Sequence, residues 1–257
     1  MKKRIGKSLC LFSGKGGVGK TVLALNLAGI YAGIEKKVLL VDLDLSGGGI
    51  ALATNKPAIK TVYNFVDDYN NNRFKDFNDY VVKYNDYIDI LPSPKDPRQA
   101  TKIDSKYIEI LLDKATFHYD VVLIDTNHVL NEINLVVLDA VDSILFVMQN
   151  DPMDLKNMKS LLSIFKDLEK TNYKILLNNS RDPFKKYFTM FDIKSIIKSN
   201  VDYELTSEFY VKNMDAYVMN GEIVTLQPKA ANTFNKDYTT LVKIALDFMG
   251  GDKHDKD

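Results

Sequence analysis

The segment Ser13-Gly14-Lys15-Gly16-Gly17-Val18-Gly19-Lys20-Thr21 constrains what this chain can fold into more than any other. Glycines this dense are costly inside a helix or a strand, yet the residues on either side are regular. Ser8–Phe12 is a short apolar run of strand type, and Thr21 to about Ala32 has helical spacing. A strand, a glycine loop and a helix form the context in which G-x-x-x-x-G-K-[ST] cradles phosphate. The glycines let successive backbone N–H groups converge on phosphate oxygens with no Cβ in the way, and the helix N-terminus adds a favourable dipole. Gly14, Lys15, Gly16, Gly17, Val18, Gly19, Lys20, Thr21 and Val22 are therefore the expected cradle. In it Lys20 would reach the β- and γ-phosphates of ATP, and the Thr21 hydroxyl would ligate Mg²⁺.

The remainder alternates in the same way. Val38–Val41, Ile88–Leu91, Val121–Ile124, Ile144–Met148 and Ile175–Leu177 are nearly continuous apolar runs, as expected of strands buried on both faces of a parallel sheet. Helical patterns lie between them. In Asp154–Lys170 the stripe is Leu155, Met158, Leu161, Leu162, Phe165 and Leu168. The pattern predicts an α/β fold, a doubly wound and mostly parallel sheet flanked by helices. Asp67–Tyr87, rich in Asn, Asp, Tyr and Lys, reads as an excursion from the sheet with little buried face, and Pro92–Arg98 as a turn past a strand end. One ATPase domain over residues 1–250 and a polar tail over 251–257 are expected.

Composition excludes several classes. Lys plus Arg equals Asp plus Glu at 34 each, so nucleic-acid binding would need a local basic patch. The best patch is Arg181–Lys198, with Lys185, Lys186, Lys194 and Lys198; a solvated charged face is its plainer reading. The lone Cys10 rules out an internal disulfide and reads as a core residue, and no run approaches the ~20 apolar residues of a membrane span. The basic start is followed by too short an apolar stretch for a secretory leader. A cytoplasmic, soluble protein is expected.

Ligands of open parallel sheets sit at strand carboxyl ends, and two acidic positions lie there. Val38-Leu39-Leu40-Val41-Asp42-Leu43-Asp44 ends in D-x-D, and Val121–Asp125 ends in a single aspartate. Such carboxylates can hold Mg²⁺ through water or orient an attacking water. Asp42 can equally cap its own loop.

The form K-G-G-V-G-K-T resembles the deviant Walker A motif of the MinD/ParA superfamily of P-loop ATPases. The resemblance implies an ATP-bound sandwich homodimer in which Lys15 reaches the partner subunit's phosphates. It also implies that Asp44 is the switch I aspartate that positions water, and that Asp125 is the switch II aspartate near Mg²⁺; with Thr21 these form the implied metal set. The catalytic set is then Lys15, Lys20, Asp44 and Asp125. After Asp125 the family continues with a proline, whereas this chain reads Thr126-Asn127-His128. His128 is either a polar switch contact or a solvated loop residue. Lys174–Asn179 resembles the family strand whose terminal asparagine reads the adenine edge, which places Asn178 there, or Asn179 one register on.

Within the superfamily, VDLDLSGGGIAL, the Ile90–Pro97 turn and YDVVLID look most like the CpaE/TadZ pilus-assembly branch, which implies a scaffold or partner protein. A ParA-like partition ATPase on nonspecific DNA, or a dimerising scaffold with negligible turnover, are the alternatives. A MinD-type membrane helix is disfavoured, because Tyr238, Leu241, Val242, Ala245 and Phe248 form a stripe suited to packing on the domain.

Overall fold

Eight strands, among the residues described, make one sheet: β1 Lys7–Phe12, β2 Val38–Leu43, β3 Val82–Lys83, β4 Ile88–Leu91, β5 Val121–Thr126, β6 Ser143–Met148, β7 Tyr173–Asn178 and β8 Tyr203–Leu205. The computed structural model describes residues 6–179, 187–206, 214–233 and 235–250. Their order across the sheet is β3-β4-β2-β5-β1-β6-β7-β8, parallel throughout except for the antiparallel β3–β4 pair. The helices are α1 Lys20–Gly33, α2 Ile50–Ala53, α3 Val62–Asn70, α4 Pro97–Ala100, α5 Lys106–His118, α6 Glu132–Ala140, α7 Pro152–Asp167, α8 Met190–Ile197, α9 Met214–Asn220, α10 Ala230–Thr233 and α11 Asn235–Met249.

Because strand side chains alternate between faces, each continuous apolar run feeds two cores. Cys10, Phe12, Leu39, Val41, Val122 and Ile124 pack toward the side carrying α3, α5, α6, α7 and α8. Leu9, Leu11, Val38, Leu40, Val121 and Leu123 pack toward α1, α2 and α11 on the other. This is the doubly wound arrangement expected, with Cys10 fully buried.

Three expectations need correction. The stretch Asp67–Tyr87 is no bare excursion: Phe65 of α3 packs edge-on to Phe74, Phe77 and Tyr80, and β3 joins the sheet. Its polar composition hid aromatic anchors spaced too irregularly to form a period. The helix expected over Asp154–Lys170 is α7, which starts at Pro152 and stops at Asp167. Asp151 caps it through Met153 N and Asp154 N, and proline is at home in a first turn, where no intrahelical N–H is needed. Leu168 therefore leaves the apolar stripe and is exposed. The two-residue β3 and three-residue β8 went unread because runs that short carry no periodicity.

The terminal helix packs on the sheet as its stripe predicts. Leu241, Ile244 and Ala245 are buried, and Tyr31 Oη donates to Ala245 O at 3.0 Å. No described helix is long and apolar enough to cross a membrane.

Candidate functional site

The central strand β1 runs directly into the glycine loop. Gly17 and Gly19 take φ of 77° and 100°, conformations that a Cβ would oppose. Gly19 thereby turns the chain into α1 with the first-turn N–H groups facing the loop. Lys20 folds back over the loop, its Nζ donating to Ser13 Oγ at 2.6 Å, while Ser13 Oγ donates to Lys15 O at 2.7 Å. Burial lowers the Lys20 pKa, and the carboxylates of Asp125 and Asp44 oppose that shift. An ammonium held in this way has strong reason to bind an anion. Residues 16–22, Asp44 and Thr126–His128 line a cavity of about 150 Å³, room for phosphates with the nucleoside outside. The larger cleft of about 460 Å³ between residues 74–77 and α5 has no comparable glycine cradle.

Strand pairing sets Asp42 of β2 opposite Asp125 of β5. Thr21 Oγ1 donates to Asp125 Oδ2 at 2.5 Å, while Asp125 Oδ1 is buried with no partner. Burial raises the Asp125 carboxyl to about 6, against the Thr21 hydroxyl and Lys20. An orphaned buried carboxylate oxygen beside a threonine hydroxyl fits Mg²⁺, which takes hard oxygen ligands and commonly keeps water and phosphate in its shell. Among the described residues no cluster of three acidic, His or Cys side chains could hold a metal alone. The donor set therefore suits a cation that arrives with a nucleotide.

Asp42 resolves toward the capping role. Its Oδ1 accepts from Asp44 N at 3.2 Å, and its Oδ2 from Ile50 N at 3.1 Å and Ser93 Oγ at 3.3 Å. These bonds shape the loop so that Asp44 faces the cradle, where Asp44 Oδ1 accepts from Gly47 N at 3.2 Å.

Burial, reinforced by Asp125, pushes Asp42 up to about 8. A carboxyl whose folded pKa lies above its unfolded value of about 3.9 contributes stability fully present below pH 4. That contribution is lost as pH rises through about 8. Without nucleotide or Mg²⁺, this group should make stability fall as the pH rises from 5 to 8. Asp42→Asn should flatten that slope. Urea midpoints at four pH values check it; a wild-type midpoint higher at pH 8 than at pH 5 would reverse the assignment.

The N-terminal face of α7 borders the glycine loop, a neighbour that no motif in the sequence announces. Lys15 Nζ lies 3.1 Å from Asp151 Oδ1, and Asn157 Nδ2 donates to Gly14 O at 2.8 Å. Between them Asp154 is fully buried, with Oδ2 accepting from Gln149 N at 2.7 Å and Oδ1 unpartnered; burial raises its carboxyl to about 6. Asp151, Asp154 and Asn157 recur at i, i+3 and i+6, one face of a helix. That spacing was available in the sequence once Asp151-Pro152 was read as a helix start.

Asn178 and Asn179 part company. Asn178 Nδ2 donates to Val18 O at 2.8 Å and so touches the loop, whereas Asn179 Nδ2 donates to Glu204 Oε1 at 2.8 Å. His128 lines the cradle. Of the basic patch, Lys194 lies in α8 and Lys198 caps its end, while Arg181, Lys185 and Lys186 fall outside the described residues.

Comparison with known proteins agrees with this fold. The AAA domain family matches residues 6–178. The chromosome partitioning protein ParA of Myxococcus xanthus is 28% identical over 219 residues, which span 80% of this chain and 72% of that protein. A ParA family ATPase from Chlorobium tepidum superposes with a TM-score of 0.78 at 20% identity, covering 93% of this chain and 98% of that one. The septum site-determining protein MinD of Pyrococcus horikoshii, solved with Mg-ADP, gives 0.75 at 17% identity over 94% and 95%.

Proposed function

From the premise that this chain belongs to the AAA domain family, within the MinD/ParA superfamily of P-loop ATPases, we propose that it binds Mg·ATP in the cradle, dimerises on it and hydrolyses it slowly to position a cargo. One observation carries the reading: a buried lysine and an orphaned buried carboxylate converge on a glycine loop at a helix N-terminus.

Each residue then has a task. Loop N–H groups and Lys20 hold the β- and γ-phosphates, and Asp44 takes the place at the cradle from which a water can be oriented. Thr21 and Asp125 hold Mg²⁺, which when bound would neutralise phosphate charge. Asn178, already on the loop, is the proposed contact for adenine. Lys15 is the proposed trans lysine. Its ion pair with Asp151 is partly exposed, and such pairs contribute only about 0.2–1 kcal/mol, so exchanging it for a partner's phosphate costs little. Exposed Val129 and Leu130 follow His128, and exposed Met153 sits in the first turn of α7, an apolar rim suited to a second copy.

Lys15→Ala should keep ATP binding yet stay monomeric with ATP and lose turnover, and Asp44→Ala should dimerise without turnover. Light scattering and phosphate release with wild type alongside test this. Wild-type turnover indistinguishable from zero, with ATP binding retained, would leave a scaffold module instead of an enzyme.

For cargo, the relative named ParA supports a partition-type role, alongside the pilus-assembly localisation implied by VDLDLSGGGIAL. Salt-dependent DNA binding that weakens when Lys185 and Lys186 are neutralised would favour partition; no binding at low salt would favour the scaffold-bound pilus role.

A further inference from the structure

The loop after β5 departs from the proline-containing form of the resembling family, and its replacement is built with care. Asn127 Oδ1 accepts from Val129 N at 2.9 Å and from Asn134 Nδ2 at 2.8 Å. Asn134 Nδ2 also donates to Val129 O at 2.7 Å, and Asn131 Oδ1 accepts from Asn134 N at 2.9 Å as it caps α6. Asn134 itself is buried. Two amide side chains thus pin residues 127–129 to the first turn of α6, which restrains the backbone as a pyrrolidine ring would have done.

This pinning decides where His128 goes. The side chain is exposed to solvent, yet its ring lies against the glycine loop: a Cβ placed on Gly16 would stand 3.3 Å from Nδ1 and 3.4 Å from Cε1. His128 lines the same cavity as Lys20, Thr21 and Asp44. The side from which it enters also matters. Asp125, three residues upstream, bonds Thr21, and Asn178 bonds Val18 from β7. His128 thus shares the chain segment that carries Asp125, on the loop after β5, whereas Asn178 reaches the glycine loop from β7.

We propose that His128 is a terminal-phosphate contact, its imidazole N–H donating to a γ-phosphate oxygen of bound ATP, on a loop held in place by the Asn127–Asn134 amide pair. This rests on the nucleotide reading above. Imidazole has two ring nitrogens, so one can donate in either protonation state. A contact to the γ-phosphate exists with ATP and not with ADP, which makes the loop responsive to hydrolysis.

The test is calorimetric titration of wild type, His128→Ala and His128→Gln with Mg²⁺ and either a non-hydrolysable ATP analogue or ADP. His128→Ala should weaken the triphosphate by about tenfold or more, the loss of one hydrogen bond to a charged group, with ADP affinity unchanged. His128→Gln, which keeps a donor, should recover part of the loss. Unchanged ADP binding also reports that the site is folded. Equal affinity of wild type and His128→Ala for the analogue would overturn the proposal, as would an equal weakening of both nucleotides, which would mean that the ring only props the loop. If wild type binds neither nucleotide, the cradle reading itself fails.

Discussion

Lys20→Ala is expected to raise the Kd for Mg·ATP by on the order of a hundredfold or more, about 3 kcal/mol, while the chain stays folded. Two features of the site drive these opposite outcomes. Without ligand the Lys20 ammonium is desolvated, bonded to Ser13 Oγ, and attracted by Asp125 and Asp44. Removing it relieves a desolvated charge but leaves those carboxylates less compensated, so the two effects on fold stability oppose one another. With ligand, the same deletion removes the ammonium and leaves Mg²⁺ as the one cation offsetting phosphate charge against Asp125 and Asp44. Calorimetry for binding and a thermal melt without nucleotide measure the two halves. A variant that binds ATP as wild type does would remove Lys20 from the site; one that fails to fold would make it a structural residue.

Gly48→Ala is expected to damage the site from a residue outside the lining of the glycine-loop cavity. A Cβ at position 48 would stand 1.7 Å from Ser93 Oγ, 2.6 Å from Ser93 Cβ and 2.8 Å from Asp42 Oδ2. Ser93 and Asp42 are both buried, so neither can swing away freely. Overpacking of this kind costs about 1–3 kcal/mol, which for a chain this size lowers Tm by roughly 2–10 °C. The displaced Asp42 carboxylate would also release its bonds from Asp44 N and Ile50 N, so Asp44 loses its placement. Turnover should therefore fall by more than the stability loss explains. Ser93→Gly in the same chain removes the two closest contacts and should restore much of the Tm, a coupling that a double-mutant cycle reads directly. Additive effects of the two substitutions would mean that the crowding is relieved elsewhere.

The glycine loop is legible in the sequence because its geometry is local. A strand, four glycines, a lysine and a threonine lie within a few residues of one another, and backbone geometry there follows from the absence of Cβ atoms. The strand runs of the inner sheet were legible for a similar reason: burial on both faces demands unbroken apolar residues. The antiparallel edge β3 and the short β8 were not, since what pairs them is the neighbouring strand.

The site's acidic and polar members divide along the same line. That Asp42, Asp44 and Asp125 end strands follows from their positions in the sequence. Which of them caps a loop and which faces the cradle was decided by Ser93 and Ile50 N, reached only through the β2–β4 pairing and the turn after β2. Likewise the choice between Asn178 and Asn179 depends on which side of β7 meets Val18. His128 on Gly16 and the α7 face on Gly14 and Lys15 are contacts between segments far apart in the chain. The sequence by itself thus determined that a glycine loop joins a strand to a helix at the centre of a doubly wound sheet. Only the tertiary structure decided which distant side chains complete it, because hydrogen bonds and buried charges depend on distance in space, and the folded sheet alone sets those distances.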